Sequence, residues 1–472
     1  MLKKSKIKIL ILLISIIIIG VYFFISLLIG NDKFKNLKLL LNVEQKELIK
    51  KYIFPYKVIS QQQQRISQQQ QKISRHKQKM SQQQQIFKIV DLPVLELEKK
   101  REGSEITTEE NIKKLSINKT LKKYKLNSGF YAGINNQFPG SGYIDFYKSN
   151  IIVLSSRGIL AFKKNIEDTE ENFKQIKNNI DEFIGINQFK QNKWFSLKDI
   201  FIFNNKVFVS YTEEIKQNCW NTSVIYGDIN YKDIEFKKLF SPKECVHSTN
   251  NIDNEFNAHQ SGGKIISFDD NYILFSIGDY RSRHLAQDIK SVNGKIIKVN
   301  IDNGDYEIIS MGHRNPQGLF FDEENNFILE TEHGPSGGDE INLIQISKIN
   351  KDKIQNYGWA ISSAGEHYKN NKSTYKKYPL YDSHKEYGFI EPLKSFVPSV
   401  GISEIVKVGQ NRYVVSSMRD MSLYFFELNK QKQIINLNRV EVFERVRDLR
   451  FNNNQLFLFM EDTASIGVIN LY

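Results

Sequence analysis

From about Gly140 onward, short apolar runs alternate with polar turns, the pattern of strands buried on one face or both. Six hairpin turns stand out, near Ser149, Asn205, Asp270, Asn325, Gln410 and Asn453, and they recur about every 61 residues. Evenly spaced hairpins at that period predict propeller blades, and six hairpins predict six blades. One gap is longer than the rest. It holds an irregular, Tyr- and Lys-rich stretch from Asn356 to Lys394, which reads as an insertion loop. The expected fold is all-β, a six-bladed β-propeller over residues 129–472. A β-sandwich would need fewer strands and would not repeat at this period.

The N-terminal region follows a different pattern. Ile9 to Gly30 is 22 residues without a charge, dense in Ile, Leu and Phe, and long enough to cross a bilayer. Lys3, Lys4, Lys6 and Lys8 precede it. A cleaved signal peptide has a shorter apolar core and a small-residue cleavage site, which the SLLIGND end does not offer. Residues 1–30 therefore read as a cytoplasmic tail and an uncleaved transmembrane signal-anchor. Lys33, Lys35 and Lys38 follow on the other side, but the N-terminal cluster still favours N-inside. The expectation is a single-pass protein of a bacterial inner membrane with its main domain in the periplasm.

Residues 31–128 read as stalk and linker. Within them Ile59, Ile66, Ile73, Met80 and Phe87 recur every seven residues among Gln, Lys and Arg, so 59–87 is a heptad repeat. One apolar position per heptad makes a thin seam. The repeat fits a helical stalk with weak self-association, and equally a disordered Gln-rich tether.

Charge changes the picture once it is located. Residues 1–125 hold 26 Lys and Arg against 10 Asp and Glu, whereas the remainder holds 40 against 43. The basic balance belongs to the extension, and the β domain has no electrostatic footprint for nucleic acid. Two cysteines, Cys219 and Cys245, are too few for a structural zinc site. In a translocated domain they read as a disulfide, and in a cytoplasmic one as two buried thiols.

The densest chemistry lies between Gly312 and Asn342, GHRNPQGLFFDEENNFILETEHGPSGGDEIN. Its two strand-like runs flank an acidic, Asn-rich turn, so the segment is a hairpin with polar groups at both ends. A hairpin brings its outer ends together, which places Arg314 and Asn315 near the Gly334-Pro335 turn. A fixed cation, an amide and loop carbonyls at one mouth suit an anionic ligand that carries a hard metal ion. Further on, Arg445 and Arg447 stand two apart in a strand-like run and share a side.

GHRNPQGL, EHGP, GGDEIN, NYGW (Asn356 to Trp359), HQSGGKI (His259 to Ile265) and RVRD (Arg445 to Asp448) together resemble the soluble glucose dehydrogenase and aldose sugar dehydrogenase family. The resemblance covers most of residues 140–472. It implies a quinoprotein on a six-bladed propeller with pyrroloquinoline quinone (PQQ) and Ca2+, oxidising an aldose at C1 to the lactone. The electron acceptor would be a quinone or a cytochrome. It implies His259 as the general base, and Arg314 as the group that stabilises charge developing on the quinone oxygen. Asn315, Ser399, Arg419, Arg445 and Arg447 would bind PQQ with Arg314. Arg419 also reads as a strand-surface arginine paired with Glu. Carbonyls of Gly334 and Pro335 would hold the Ca2+ that polarises PQQ, and Glu340 and Tyr357 match positions around a second, structural Ca2+.

The chain departs from the family pattern at several points. Ala258 stands where glucose-oxidising members carry an Asp that supports the base, and Val397 replaces an aromatic cover. Trp194 to Asp199 lacks a Gln-Asn-Gly pattern, and His333 stands where some members have Gln. These losses leave the cofactor site better marked than the substrate site. The rival reading is a non-catalytic propeller that binds a protein or glycan partner. It has no need of His259 with Arg314, Arg445 and Arg447. A lactonase-like hydrolase would want an acidic metal cluster at the central channel, which the sequence does not mark.

Overall fold

A computed structural model describes residues 106–126, 141–185, 195–349, 353–368 and 372–472, with a few isolated positions elsewhere. The chain divides into two units, Met1–Gln84 and Gln85–Tyr472, and the described strands all belong to the second. The expected membrane segment and the heptad stalk lie outside the described stretches. Among the described residues no helix is long and apolar enough to cross a membrane.

The strands form six blade sheets, together with a short parallel pair, Lys177–Asn178 with Asp233–Ile234. The innermost strands, blade by blade, are Gly142–Tyr147, Leu197–Phe203, Gly262–Asp269, Pro316–Asp322, Ile402–Gly409 and Val446–Asn452. Each turns antiparallel into its second strand at one of the six hairpins expected from the sequence. Asn drives several of these turns. Asn204, Asn205, Asn326, Asn411, Asn453 and Asn454 all take positive φ, a region Asn tolerates better than most residues.

Strand alternation sends apolar side chains to both faces of each sheet, and the faces meet between blades. Leu154 and Ile176 of blade 1 pack with Leu197 and Val209 of blade 2. Phe208 and Val224 of blade 2 meet Ile273 and Ile297 of blade 3, and the remaining neighbours repeat the arrangement around the ring. Each fully buried Leu, Ile or Phe stabilises by about 1.5–3 kcal/mol, so repeated layers hold the ring. The Asn356 to Lys394 stretch runs between strands Asp339–Gln345 and Lys394–Phe396 of blade 4, and at its start Gln355–Asn356 pairs with Tyr306–Met311 at the edge of blade 3.

The domain begins earlier than expected. Thr108–Lys114 and Thr120–Leu126, assigned from the sequence to the linker, extend blade 6 outward from Ser465–Asn470, with Leu121 opposite Ile469 and Tyr124 opposite Ile466. Residues from the two ends of the domain thus share one sheet and close the ring. Their Lys-rich composition hid them, because Thr108–Lys114 is an edge strand whose residues beyond Thr108 are exposed.

Charged residues interrupt the inner strands and meet in the central channel. Lys264 Nζ reaches Asp199 (3.1 Å), Asp448 (3.5 Å) and Glu404, while Arg450 reaches Asp448 (2.8 Å) and Asp145 (3.3 Å). Backbone amides complete this lattice: Asp199 accepts from Ile265 N (2.9 Å), and Asp448 from Ile144 N (2.8 Å).

Candidate active site

The inner strands do more than surround the channel. In blades 2, 4 and 6 their register against the second strand shifts by one residue at the same end, between Leu197 and Asp199, Pro316 and Gly318, and Val446 and Asp448. The extra residues are Lys198, Gln317 and Arg447. A bulge re-aims a side chain, and all three line a cavity of about 340 Å³ at this end of the channel.

His259, Arg314, Asn315, Arg445 and Arg447, expected from widely separated motifs, line the same cavity. Lys198 and Arg281 add two cations, giving five. Among the described residues no Asp or Glu lines it. Its acids stand behind the wall. Fully buried Glu461 accepts from Arg445 Nε (2.6 Å) and Arg447 Nε (2.8 Å), so one carboxylate fixes two guanidinium groups. Burial alone would raise the Glu461 carboxyl, but Arg447 and Arg445 outweigh it and leave it below its ordinary range.

Arg314 is held from three sides. Its backbone N–H donates to Glu332 (2.6 Å) and its Nη1 to the His333 carbonyl (2.8 Å), and its guanidinium lies 5.4 Å from the Trp359 ring centre. Asn315 Oδ1 accepts from Gly262 N (3.1 Å) and Gln317 Nε2 (3.1 Å), so that oxygen ties blades 3 and 4 together. His259 follows a turn in which its N–H donates to Asn257 Oδ1 (2.8 Å). Burial, then Lys198, Arg447 and Arg445, hold its imidazole well below the usual histidine value. The ring is a neutral acceptor, and a weaker base than the sequence alone suggests. His333 is lowered to about 4, mainly by burial, with Arg314, Arg447 and Arg445 acting in the same direction against Asp339.

Two expected cofactor residues stand elsewhere. Arg419 is exposed, and its neighbour Met418 lines the cavity instead. Ser399 Oγ donates to the Pro335 carbonyl (3.3 Å) and so braces the turn outside the cavity wall.

Behind Arg314 lies a chamber of about 10 Å³, lined by Gly334, Glu340 and Tyr357 together with Glu332 and Gly338. Pro335 is outside this lining. Asn342 Nδ2 donates to Glu330 (3.0 Å), Glu332 (3.4 Å) and Glu340 (3.3 Å). Glu330 Oε1 and Asn342 Oδ1 are buried without hydrogen-bond partners. Burial, then Glu332, pushes the Glu330 carboxyl well above its ordinary value. Three converging carboxylates, with the orphaned Glu330 Oε1 and Asn342 Oδ1 beside them, fit a hard cation such as Ca2+. Tyr357 contributes by position, because its hydroxyl is committed to the Leu343 carbonyl (2.7 Å).

The sequence reading missed Lys198, Arg281 and Tyr368 in the cavity, and Glu330, Glu332 and Asn342 at the chamber. Lys198-Asp199 and Arg447-Asp448 form matching pairs at the starts of inner strands, a signal that could have found Lys198. Cys219 and Cys245 are bonded, with Cα atoms 5.3 Å apart.

The Glucose / Sorbosone dehydrogenase family model matches residues 195–469, which carry all of these cavity motifs. The chain belongs to that family. An aldose sugar dehydrogenase of Escherichia coli is 28% identical over 182 residues, 35% of this chain and 44% of that protein. Quinoprotein glucose dehydrogenase B of Acinetobacter calcoaceticus is 34% identical over 131 residues, 21% of this chain and 26% of that protein. The chain thus spans half or less of the curated relatives it matches. The fold is shared with the apo soluble aldose sugar dehydrogenase from Escherichia coli, at TM-score 0.55 and 19% identity over 70% of this chain and 94% of that one. The PQQ-bound aldose sugar dehydrogenase from Streptomyces coelicolor gives TM-score 0.51 and 16% identity over 70% and 93%.

Proposed function

We propose that this member of the glucose/sorbosone dehydrogenase family is a PQQ- and Ca2+-dependent dehydrogenase that oxidises an aldose at C1 to its lactone. The observation that carries the reading is the Arg445–Arg447 pair on Glu461, facing one cavity with Arg314 and His259 that, among the described residues, no acid lines. PQQ has three carboxylates, and a pocket with fixed guanidinium groups and no acid in its wall suits such a ligand.

When bound, PQQ supplies the two-electron acceptor for the hydride that leaves sugar C1. Arg445 and Arg447 hold carboxylate, and Arg314 offers a fixed positive charge where negative charge develops. His259, kept neutral, accepts the C1 hydroxyl proton. Glu332 and Glu340 would hold Ca2+ beside the Gly334 backbone. The apolar run Ile9 to Gly30 supports a membrane anchor, and the Cys219–Cys245 bond supports a periplasmic location. Electrons would then pass to a quinone or a cytochrome.

The test is reconstitution of the purified protein with PQQ and Ca2+, followed by PQQ-binding titration and dye reduction with a panel of aldoses. Saturable binding and sugar-dependent dye reduction are expected. Absence of PQQ binding would end this reading and leave a non-catalytic propeller.

A further inference from the structure

The acidic group behind Arg314 has a second side, and that side carries nitrogen. Glu330 and Glu332 stand two apart on Phe327–Glu332 and share a sheet face, opposite Asn342 and Glu340 on the neighbouring strand. His313, on the link from blade 3 into blade 4, brings Nδ1 to 3.8 Å from Glu330 and 3.8 Å from Glu332. The three side chains are buried, and one ligand atom from each lies within 4.8 Å of the others. His313 and Glu330 are outside the lining of the chamber assigned to Ca2+. The group adjoins that chamber through Glu332 and does not repeat it.

Among the described residues nothing satisfies these atoms. His313 Nδ1, Glu330 Oε1 and Asn342 Oδ1 have no hydrogen-bond partner, and no described Lys or Arg forms an ion pair with Glu330 or Glu332. Asn342 Nδ2 offers two hydrogens to three carboxylates and brings no formal charge. A proton on Nδ1 would not reach either carboxylate in a hydrogen bond at 3.8 Å. Such separations suit atoms arranged around one ion, each about 2.0–2.2 Å from it after a small inward movement. The other edge of the ring is already fixed. His313 Nε2 is bonded to Ser310 Oγ (2.8 Å), and the ring stacks on Tyr357 with centres 4.9 Å apart, so the direction of Nδ1 is set.

We infer that His313, Glu330 and Glu332 form a structural site for a divalent transition-metal ion of the Zn2+ class. An imidazole among carboxylates selects such an ion over Ca2+, which takes oxygen ligands. Rotation of the Asn342 amide brings its orphaned Oδ1 to where Nδ2 now stands, and so supplies a fourth ligand. The ion ties blade 3 to blade 4. It also fixes Glu332, whose Oε2 accepts from the Arg314 N–H (2.6 Å), and thereby holds the backbone at Arg314 from outside the cavity. The site does not rest on the dehydrogenase reading, because PQQ has no part in it.

The test uses the full-length protein without PQQ, produced in metal-depleted medium or in medium supplied with Zn2+ or Co2+, then dialysed against excess Ca2+. Metal analysis should find one Zn2+ or Co2+ per chain that Ca2+ does not displace. The Co2+ form should show visible ligand-field absorption, and the Zn2+ form should melt about 3 °C or more above the metal-depleted form. Glu330→Gln should lose the retained ion, the absorption and the melting response. Because it removes one of three crowded acids, its metal-depleted form should melt no lower than the wild type, which separates lost binding from lost folding. His313→Gln should lose the Co2+ absorption as well, and it decides the assignment if Glu330→Gln does not fold. A wild type that retains no stoichiometric Zn2+ or Co2+, or that exchanges it for Ca2+, overturns the inference. So does a Co2+ spectrum unchanged in Glu330→Gln, which would place the ion at other histidines. Retained Zn2+ in a protein that does not bind PQQ would end the dehydrogenase reading and leave this site standing. PQQ binding without retained Zn2+ would remove this site alone.

Discussion

Two buried charged clusters lie along one channel and balance in opposite ways. In the middle, Asp145, Asp199, Glu404 and Asp448 face Lys264 and Arg450, four acids to two bases. At the cavity end, Arg281, Arg314, Arg445 and Arg447 share a wall with Lys198, and among the described residues no acid lines it. The lattice relieves its excess internally. Burial pushes Glu404 up to about 8, against the pull of Lys264, so at neutral pH it keeps a proton. Backbone amides take much of the remaining acceptor capacity. The cavity relieves its excess this way only at Lys198, whose ammonium is lowered to about 7 by burial, then by Arg447 and Arg157, because arginines do not release protons in proteins. Charge in the lattice ties blades together, whereas charge that lines the cavity is held from behind, as Glu461 holds Arg445 and Arg447, and faces a ligand.

Substitutions at the cavity should therefore affect chemistry and binding. His259→Ala should keep near-normal PQQ affinity and lose roughly 10²–10⁴-fold in turnover, the usual scale for a general base. Arg447→Ala should weaken PQQ binding by about 1.5–3 kcal/mol, and added cofactor should recover much of its activity. Wild-type turnover by His259→Ala would remove the base assignment. Unchanged PQQ affinity in Arg447→Ala would move the carboxylate clamp elsewhere.

The lattice should respond in stability. Lys264→Met leaves Asp199, Asp448 and Glu404 without their shared ammonium, and breaking a buried pair on one side costs about 3–5 kcal/mol. Urea unfolding measures this directly. A loss below about 1 kcal/mol would mean that the acids take up protons without penalty, and that the lattice does not hold the blades.

How far each cluster could be read from the sequence follows from the same contrast. The six turns were legible because Asn and Gly mark hairpins locally, and the apolar runs marked the strands. His259, Arg314, Asn315, Arg445 and Arg447 were legible because they sit in recognisable motifs. Lys198 was not, because it reaches the cavity through a bulge, and a register shift depends on the partner strand. Asp145, Asp199, Glu404 and Asp448 read as ordinary polar strand positions until the ring brings six inner strands together. Arg419 and Ser399 stand outside the cavity lining, since matching position alone does not determine where side chains point. The two closing strands were hidden by their lysines, which face solvent along an edge.

The smallest expected effect concerns pH. His333 lines the cavity, and its folded value of about 4 lies below the ordinary 6.5. A base depressed in the folded state favours the native form while neutral. Its contribution is present above pH 6.5 and is lost as pH falls toward about 4. Raised carboxylates in the lattice act in the opposite sense, so the comparison must be made against His333→Gln. That variant should lose less stability than the wild type between pH 6.5 and 4 when melting temperatures are compared. Histidine NMR titration of the protein without PQQ should place the His333 midpoint near 4. Bound PQQ, by offsetting Arg314, Arg445 and Arg447, should move it upward. A midpoint near 6.5 before PQQ is added would show that burial and the surrounding cations do not act on this ring. The contrast between a self-neutralised lattice and a cation-rich cavity would then lose its electrostatic basis.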